Sequence, residues 1–379
     1  MQRSFAEFFA GGGMVSQALS PDWTCMFAND FDAKKAVTYT RNHSGPPVLK
    51  LGDIAEVTAT DISGAPDLIW GSSPCQDLSV AGKGAGLKGA RSGTYYEFWR
   101  VIDELCAVGR GPQVVAVENV VGSLTSGGGR DFAEMCDAFA KRGFAFGAVI
   151  IDAVHFLPQS RPRLFIIGVQ TGEDGLRGAG PKDWLGGARV KAGFDRLPKR
   201  LQRSWVWWNL PRPVSDVPPI AQLVLRNPRD VTWHSEGETA KLVAMMNPVN
   251  LAKLRAAQKT GKRQIGFVYK RTRHDETGRK VQRAEVRFDG VAGCLRTPGG
   301  GSSRQIILDV RRNVLKSRLL SVREAARLMG LDDSYKLPQA YNEGYHLMGD
   351  GVAVPVVRYL DKHLFSKLIP AEATLLAAE

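Results

Sequence analysis

Short apolar runs alternate with amphipathic segments over the first 170 residues. Six runs have the length and composition of buried β-strands, namely Ser4–Phe9, Cys25–Ala28, Asp67–Trp70, Val114–Val117, Ala145–Ile151 and Leu164–Val169. Apolar residues recur at positions i, i+3, i+4 and i+7 in Phe98–Leu105 and in Phe132–Phe139, which predicts two helices with one buried face. Strands and helices in alternation predict an α/β protein with a doubly wound, Rossmann-like sheet.

The pattern becomes irregular from about residue 171. Gly172–Gly193 is rich in glycine, Leu197–Pro219 mixes three tryptophans with five prolines, and residues 253–318 are dominated by Arg, Lys, Gly and polar residues. We interpret residues 171–344 as a second, smaller and irregular domain. The tryptophans could stack on nucleic-acid bases, but aromatic residues in a proline-rich segment are more often part of a small core, which is the interpretation we prefer.

Helical periodicity returns near the end of the chain. Ser321 and Glu324 have the spacing of a capping box, and Gly330 is placed to end the helix that follows. The segment from Tyr345 onward is apolar again. We therefore expect residues 345–379 to return to the first domain, which is formed by residues 1–170.

Composition excludes several classes of protein. No apolar stretch reaches the length needed to cross a bilayer, so a cytoplasmic protein without membrane contact is expected, and we expect a monomer. The five cysteines are widely spaced and form no CxxC pair, so no metal site is predicted. Cys106 and Cys136 fall among apolar residues and are interpreted as core thiols.

Positive charge is confined to the middle of the chain. The net charge is +13, yet residues 1–170 carry 15 basic and 17 acidic residues, whereas residues 171–318 carry 30 basic and 13 acidic residues. A solvated surface explains any single basic residue. An excess restricted to one segment favours a polyanionic partner, and nucleic acid is the polyanion we expect.

A cysteine and a glutamate follow two of the predicted strands. Cys75 lies just after Asp67–Trp70, and Glu118 follows Val114–Val117 directly. In a parallel sheet both would lie at the carboxyl ends of strands, where open α/β sheets bind ligands. A thiolate and an acid can together attack a carbon of a pyrimidine ring and supply a proton to its nitrogen. The alternative for Cys75 is a buried small apolar residue.

A turn poor in side chains follows the first predicted strand. Phe9-Ala10-Gly11-Gly12-Gly13 lets a ligand approach the backbone, but Ser16 replaces the last glycine of the GxGxxG pattern, so a dinucleotide is not specially favoured. Asp30, at the end of the next run, can accept hydrogen bonds from ribose hydroxyls.

Further residues near this turn suit an adenosine-bearing ligand. Phe9 and Phe31 can stack on adenine, and Asp53 can accept a hydrogen bond from its amine. The alternatives are a helix cap at Asp30 and a turn residue at Asp53. A positively charged sulfonium would suit these carboxylates better than a diphosphate would.

In combination and order, these motifs resemble those of DNA cytosine-5 methyltransferases of the bacterial or phage restriction-modification type. The matching segments are Phe9–Gly13, Pro74-Cys75-Gln76, Glu118-Asn119-Val120, Gln159–Arg163, Arg323–Gly330 and the Gly349 segment. The last motif departs from the family, because Gly349-Asp350-Gly351-Val352 stands where bacterial relatives usually have Gly-Asn-Ser-Val. Met14 likewise replaces a frequent third glycine.

The resemblance implies transfer of a methyl group from S-adenosyl-L-methionine to C5 of cytosine in a specific duplex DNA sequence. Cys75 would add to C6 of a flipped-out base and Glu118 would hold or protonate N3. Arg161 and Arg163 would reach the base carbonyl or the region of the nucleophile, with Arg163 preferred. The expected cofactor contacts are Phe9, Ala10, Gly11, Gly13, Asp30, Phe31, Asp53, Ile54, Ser73, Pro74, Asp350 and Val352.

Three segments are expected to contact DNA. The glycine-rich, basic segment Ala81–Gly93 is predicted to be a lid, and Tyr269–His274 and Leu295–Gln305 are predicted to be base-reading loops, because arginine suits guanine and glutamine suits adenine. The expected contacts are Gln76, Ser79, Lys83, Arg91, Arg271, Arg273, Ser302, Arg304 and Gln305. A cognate restriction endonuclease is a possible partner of such an enzyme.

Two alternatives to this assignment stay open at the level of sequence. An RNA cytosine-5 methyltransferase acting on transfer RNA would use the same chemistry, and a catalytically silent DNA-binding regulator could keep the fold. The long basic segment favours DNA over RNA, and intact Cys75, Glu118 and Arg163 favour turnover.

Overall fold

All six apolar runs form strands in the computed structural model, which describes residues 2–43, 45, 48–72, 93–172, 174–214, 216–297 and 304–370. The strands of this sheet are β1 (Arg3–Phe8), β2 (Trp23–Asp30), β3 (Leu49–Leu51), β4 (Leu68–Gly71), β5 (Val114–Val120), β6 (Ala145–Asp152) and β7 (Pro162–Val169). Their order across the sheet is β3-β2-β1-β4-β5-β7-β6. The doubly wound α/β fold predicted from the sequence is confirmed.

The sheet is mixed, although the site was predicted for a parallel sheet. β3, β2, β1, β4 and β5 pair in parallel, whereas β7 runs antiparallel between β5 and β6. Residues 153–161, which join β6 to β7, are too few for the crossover that a parallel pair needs. As a result, the amino end of β7 lies beside the carboxyl end of β5.

Helices of very different length complete the fold. In chain order they are α1 (Met14–Leu19), α2 (Ala33–Asn42), α3 (Gly93–Ala107), α4 (Arg130–Ala140), α5 (Gly187–Asp195), α6 (Lys199–Arg203), α7 (Ile220–Leu223), α8 (Glu236–Ala244), α9 (Pro248–Lys259), α10 (Val322–Leu328), α11 (Tyr341–Asp350), α12 (Val354–Leu360) and α13 (Ser366–Leu368). A π-helical turn, Asp361–Phe365, joins the last two. Among the described helices, none is long and apolar enough to cross a bilayer.

The described chain divides into two units whose limits differ from the predicted domain limits. Unit 1 comprises residues 1–152, 162–214 and 354–379, and unit 2 comprises residues 153–161 and 215–353. The first unit therefore extends past residue 170, and the second continues past residue 344 and past the end of α11 to residue 353.

The tryptophan-rich segment explains why unit 1 extends to residue 214. Trp205 and Trp208 are buried, and the Trp205 ring packs against Phe146 in β6. The backbone of Val206 approaches β6 so closely that a Cβ at Gly147 would lie 1.9 Å from its carbonyl oxygen. The prediction that these tryptophans form a core is confirmed.

The predicted buried faces of α3 and α4 line the core of unit 1. Phe98 and Leu105 on α3 and Phe132 on α4 are almost completely buried, as is Cys136. The prediction of a core thiol is wrong for Cys106, which is exposed. This cysteine lies in the last turn of α3, where the chain leaves the core.

Unit 2 contains an antiparallel sheet and is more regular than expected. Its strands are β8 (Gln264–His274), β9 (Lys280–Arg287), β10 (Ile306–Arg311) and β11 (Val314–Leu319), in the order β11-β10-β8-β9. One face of this sheet packs on α8 and α9. The predicted loop Tyr269–His274 is therefore part of β8, because it pairs residue by residue with β9.

The predicted capping box is confirmed in unit 2. Ser321 and Glu324 each accept a hydrogen bond from the other's backbone N–H at the start of α10. The Glu324 carboxylate also pairs with the guanidinium of Arg318 at 2.6 Å, and both side chains are buried. Such a pair is tolerated in a core because each charge compensates the other.

Candidate active site

The turn after β1 is the first feature of the site. Phe9, Gly11 and Gly13 all have φ between 57° and 76°, so the chain reverses tightly between β1 and α1. A Cβ at Gly13 would lie 2.1 Å from Nε2 of His43, which leaves room for glycine alone. The turn therefore presents backbone, and few side chains, to a ligand.

Asp30 ties this turn to the end of β2. Its Oδ2 accepts a hydrogen bond from the backbone N–H of Gly11 at 2.7 Å, and its Oδ1 accepts one from Asp32 at 2.9 Å. Burial raises the pKa of the Asp30 carboxyl, while these two N–H donors lower it. The cap of α2 is Asp32, whose side chain accepts from Lys34 and Lys35, so the helix-capping alternative does not describe Asp30.

Phe31, the residue after Asp30, exposes its aromatic ring to solvent. Phe31 is 73% exposed, which is unusual for a side chain that would gain free energy from burial. The Asp30 carbonyl accepts a hydrogen bond from Gly52 N at 3.1 Å, which brings the turn after β3 to the same edge of the sheet. The structure thus groups Asp30, Phe31 and the neighbourhood of Asp53.

Asp53 and Ile54 play local roles in that turn. Asp53 is exposed and its Oδ1 accepts from Ala55 N at 3.0 Å, as the turn alternative predicts, while its other oxygen can still meet a ligand. The Ile54 side chain is buried in the core. Asn29, which sequence analysis missed, holds the turn by donating to the carbonyls of Lys50 and Gly52.

A second missed residue is a glutamate buried in the middle of β1. Glu7 has no exposed surface, and its Oε1 accepts a hydrogen bond from Ser16 Oγ in α1 at 2.7 Å. Ser16 Oγ also lies 3.1 Å from the Tyr39 hydroxyl in α2. Burial raises the pKa of the Glu7 carboxyl to about 7, against the lowering effect of these hydroxyls. An acid inside the apolar run Ser4–Phe9 was the signal in the sequence.

Replacing Glu7 by glutamine is expected to change how stability depends on pH. The raised pKa means that the folded protein keeps this proton between pH 4.5 and about 7, whereas the unfolded chain loses it. Stability therefore falls as pH rises through this window, by about 3 kcal/mol, and glutamine, which does not titrate, removes that loss. Urea unfolding of the wild type and of Glu7→Gln between pH 4.5 and 7.5 measures this pH dependence of the free energy of unfolding. Parallel stability profiles for the wild type and Glu7→Gln would contradict the prediction.

Glu118 and Arg163 form an ion pair across two antiparallel strands. Glu118 lies in β5 opposite Phe165, and Arg163, two residues earlier in β7, lies opposite Val120, so the two side chains are diagonal neighbours on one face. Arg163 Nε is 3.0 Å from Glu118 Oε1, and the two side chains are 14% and 9% exposed. A pair with so little contact with water is electrostatically strong and holds both groups in one geometry.

Arg161, the other arginine of the motif, has a different environment. It belongs to unit 2, where its side chain is 1% exposed. Its two terminal nitrogens donate to the backbone carbonyls of Leu295 at 2.9 Å, Gly349 at 2.8 Å and Gly351. Arg161 thus joins two loops of unit 2, whereas Arg163 meets a carboxylate. The structure does not show the two arginines sharing one role.

Replacing Arg161 by lysine is expected to destabilise unit 2. One ammonium group cannot reach three carbonyl oxygens that the planar guanidinium now satisfies, and buried polar groups left without partners are costly. A loss of about 3 kcal/mol in the free energy of unfolding follows. Hydrogen exchange at Leu295 and Gly351 would report it locally. Arg163→Lys serves as the control, and equal stability of the two variants would refute this assignment.

The motif around Gly349 is also part of unit 2. Asp350 is exposed and accepts a hydrogen bond from the Thr297 hydroxyl, whereas Val352 is 4% exposed. A Cβ at Gly349 would lie 2.8 Å from Thr297 N, so glycine is required by packing. Cofactor contacts of Asp350 and Val352 stay predictions.

The residues predicted to contact DNA differ in exposure. Arg271 and Arg273 are exposed on β8, and Arg304 is half-buried, with its guanidinium 5.8 Å from the centre of the Tyr341 ring. Gln305 is fully buried and its Nε2 donates to Gly293 O at 2.8 Å. Because that amide is used inside unit 2, the structure argues against Gln305 as a base contact.

Several predicted site residues lie outside the described residues. These are the nucleophile Cys75, the expected cofactor contacts Ser73 and Pro74, and the expected DNA contacts Gln76, Ser79, Lys83, Arg91 and Ser302. The predicted lid lies almost wholly in the same gap. Their roles stay predictions from the sequence.

Comparison with known proteins finds relatives that match over part or nearly all of the chain. A family model described as C-5 cytosine-specific DNA methylase matches residues 3–366. The chain is 30% identical over 167 residues to the Type II methyltransferase M.BsuFI of Bacillus subtilis, a match that covers 44% of this chain and 39% of that protein. It is 24% identical over 370 residues to the Type II methyltransferase M.HhaI of Haemophilus parahaemolyticus, covering 96% and 94% of the two chains.

A solved structure shows the same fold over nearly the whole chain. The structure of the methyltransferase EhMeth of Entamoeba histolytica superimposes with a TM-score of 0.65 at 12% identity, and covers 97% of this chain and 99% of its own.

Proposed function

The chain belongs to the C-5 cytosine-specific DNA methylase family, and we propose that it methylates C5 of cytosine within a specific duplex DNA sequence. The observation that carries the proposal is the ion pair of Glu118 with Arg163 at the carboxyl end of β5. Membership of the family supplies the reaction class, and this pair supplies an acid in a fixed position.

In the proposed reaction Cys75 begins the chemistry as a thiolate. Its sulfur forms a bond to C6 of the cytosine, and the electron pair of the C5–C6 double bond moves into the ring. Glu118 neutralises that charge by holding or donating a proton at N3, and Arg163 keeps the carboxyl group in place. Once C5 carries the methyl group, loss of the C5 proton and of the Cys75 thiolate, with return of the N3 proton to Glu118, restores the aromatic ring. The base must leave the duplex for a side chain to reach it.

The described residues near β1 and β2 fit S-adenosylmethionine. The turn Phe9–Gly13 offers backbone to the ligand, Asp30 is a carboxylate held by two N–H donors, and Phe31 exposes its ring beside it. When bound, the cofactor supplies the electrophilic methyl group for C5. Asp30 would meet the ribose hydroxyls and Phe31 the adenine, while Asp53 would accept from the adenine amine.

We further propose that unit 2 holds the DNA. Arg271, Arg273 and Arg304 are the described basic residues assigned to DNA contact, and residues 215–318 of this unit, which carry 21 basic and 9 acidic residues, support the assignment. The sequence assigns further DNA contacts to Ser302 and, outside unit 2, to Gln76, Ser79, Lys83 and Arg91. A restriction endonuclease of matching specificity is proposed as a partner.

Bisulfite sequencing tests the proposed function directly. DNA is taken from a host without cytosine-5 methylation of its own that expresses the full chain, and from the same host expressing Cys75→Ser. Protection of cytosine in one recurring sequence, with the wild type alone, is the expected result. Unmodified DNA together with 5-methylcytosine in RNA would instead support the RNA alternative and overturn the proposal.

A further inference from the structure

The outer halves of β8 and β9 form a two-stranded ribbon. Residues 264–268 of β8 pair with β10, whereas residues 269–274 pair with residues 280–285 of β9. No third strand of the described residues pairs with this outer part, although Ala284 N donates to Met245 O at 3.0 Å just after α8. We call residues 269–274 and 280–285 the basic ribbon.

One face of the basic ribbon carries three arginines. Side chains alternate between the faces of a strand, and the pairs Tyr269 with Glu285 and Arg271 with Arg283 place these residues, together with Arg273, on the same face. We call it the arginine face. Glu285 is its single acid.

Glu285 binds two of these arginines at once. Its Oε2 lies 3.3 Å from Arg271 Nε, and its Oε1 accepts from Arg273 Nε at 2.7 Å. The arginine side chains are nevertheless 45% and 50% exposed, against 31% for Glu285. Each guanidinium is therefore held along one edge, while other N–H groups remain open to solvent.

The stem beneath the arginine face is rigid. The Arg271 guanidinium lies 5.6 Å from the centre of the Tyr269 ring, a cation–π contact. Tyr269 Oη donates to Cys294 O at 3.5 Å, and a Cβ at Gly293 would lie 1.8 Å from that hydroxyl. The ring thus packs against a backbone that glycine alone allows.

From this geometry we propose that Glu285 is a positioning residue for sequence recognition, holding Arg271 and Arg273 so that their guanidinium groups meet base edges in the major groove of DNA. The inference rests on the proposed function. A two-stranded ribbon fits the major groove, and arginine binds guanine through two hydrogen bonds when its fork is correctly oriented.

The negative charge of Glu285 indicates that this residue orients the two arginines and does not increase the affinity for DNA. A carboxylate in the middle of a surface that approaches phosphates weakens binding to every DNA sequence. Because Glu285 already holds the Arg271 and Arg273 side chains, less conformational entropy is lost when they bind DNA. This lowers the free energy of binding only where a base edge matches the geometry of the guanidinium group. Glu285 therefore lowers the affinity for DNA of any sequence and increases the difference in affinity between the recognised sequence and other sequences.

Glu285→Gln separates these two effects when it is compared with Glu276→Gln. Glu276 is exposed in the turn of the same hairpin, and removing its charge changes the net charge equally. Fluorescence anisotropy measures affinity for a 30-base-pair duplex containing the methylated sequence and for a scrambled duplex. We expect Glu285→Gln to lower the ratio of the two affinities about 10-fold, which is within the range that one bidentate base contact contributes. Glu276→Gln should leave the ratio unchanged.

A second variant keeps the test decisive if Glu285→Gln misfolds. Arg273→Lys preserves charge but removes the planar fork, so it should lower the ratio as well. If both variants keep the wild-type ratio and change only the salt dependence, the arginines bind phosphates and the inference is overturned. Absence of methylation and of DNA binding in the wild type would instead refute the proposed function, which keeps the two failures distinct.

Discussion

Cys75→Ser is expected to lower methyl transfer by about 10⁶-fold, the scale of the loss when an enzyme loses its covalent nucleophile. Serine differs from cysteine by one atom, but a hydroxyl is far less acidic than a thiol. A thiol is partly ionised near neutral pH, and the thiolate is the species that attacks. Serine would therefore preserve the shape of the side chain while removing the first bond of the reaction.

A suicide substrate makes this prediction measurable as a covalent bond. Fluorine at C5 of the target cytosine cannot leave as a proton does, so duplex DNA containing 5-fluorocytosine should trap the protein when the methyl donor is present. Denaturing gels and peptide mass spectrometry would find the adduct at Cys75. Cys106→Ser is the matched control, because that thiol is exposed and lies in the last turn of α3. Trapping that survives in Cys75→Ser would exclude the mechanism.

Glu118→Gln is expected to lower kcat by about 10²–10⁴-fold, the range contributed by a general acid. Glutamine has nearly the same shape as glutamate and can accept a hydrogen bond from Arg163, but its amide cannot donate a titratable proton to N3. The charge that the thiolate pushes into the ring would then remain poorly compensated. DNA binding should change little, since Glu118 is buried near the carboxyl end of β5.

Single-turnover kinetics with a saturating methyl donor would isolate this effect from product release. Asp174→Asn is a suitable control, because its fully exposed carboxylate belongs to the same unit and removing it changes the charge equally. Arg163→Lys should also lower kcat, since lysine keeps the charge but loses the geometry of the fork. A Glu118→Gln enzyme with wild-type kcat would remove Glu118 from the mechanism.

Local pattern was sufficient to predict most elements of unit 1. The apolar runs and the i, i+3, i+4 spacings describe which residues a strand or helix must bury, and those residues are buried in α3 and α4. Cys106 shows the limit of this argument. Periodicity assigns a face to a helix, but the position at which the helix leaves the core depends on what packs beside its end.

Local pattern also pointed to the proposed cofactor site, because Asp30 and Phe31 lie just beyond the apolar run Cys25–Ala28. It did not reveal Glu7, since an acid within an apolar run can equally face solvent. In the fold, α1 and α2 cover that face of β1 and bring Ser16 and Tyr39 to the carboxyl group. Only packing turns an ordinary glutamate into one with a raised pKa.

The sequence by itself determined the reaction class and the alternating architecture, because those depend on residue types and on short spacings. The tertiary structure decided which partners meet. The antiparallel direction of β7 places Arg163 beside Glu118. The side chain of Arg161 instead donates its hydrogen bonds to backbone carbonyls of unit 2. The pairing of β8 with β9 brings Arg273 to the carboxylate of Glu285, which Arg271 also contacts. Contacts between residues far apart in the chain follow from strand order and register, which the order of residues alone does not specify.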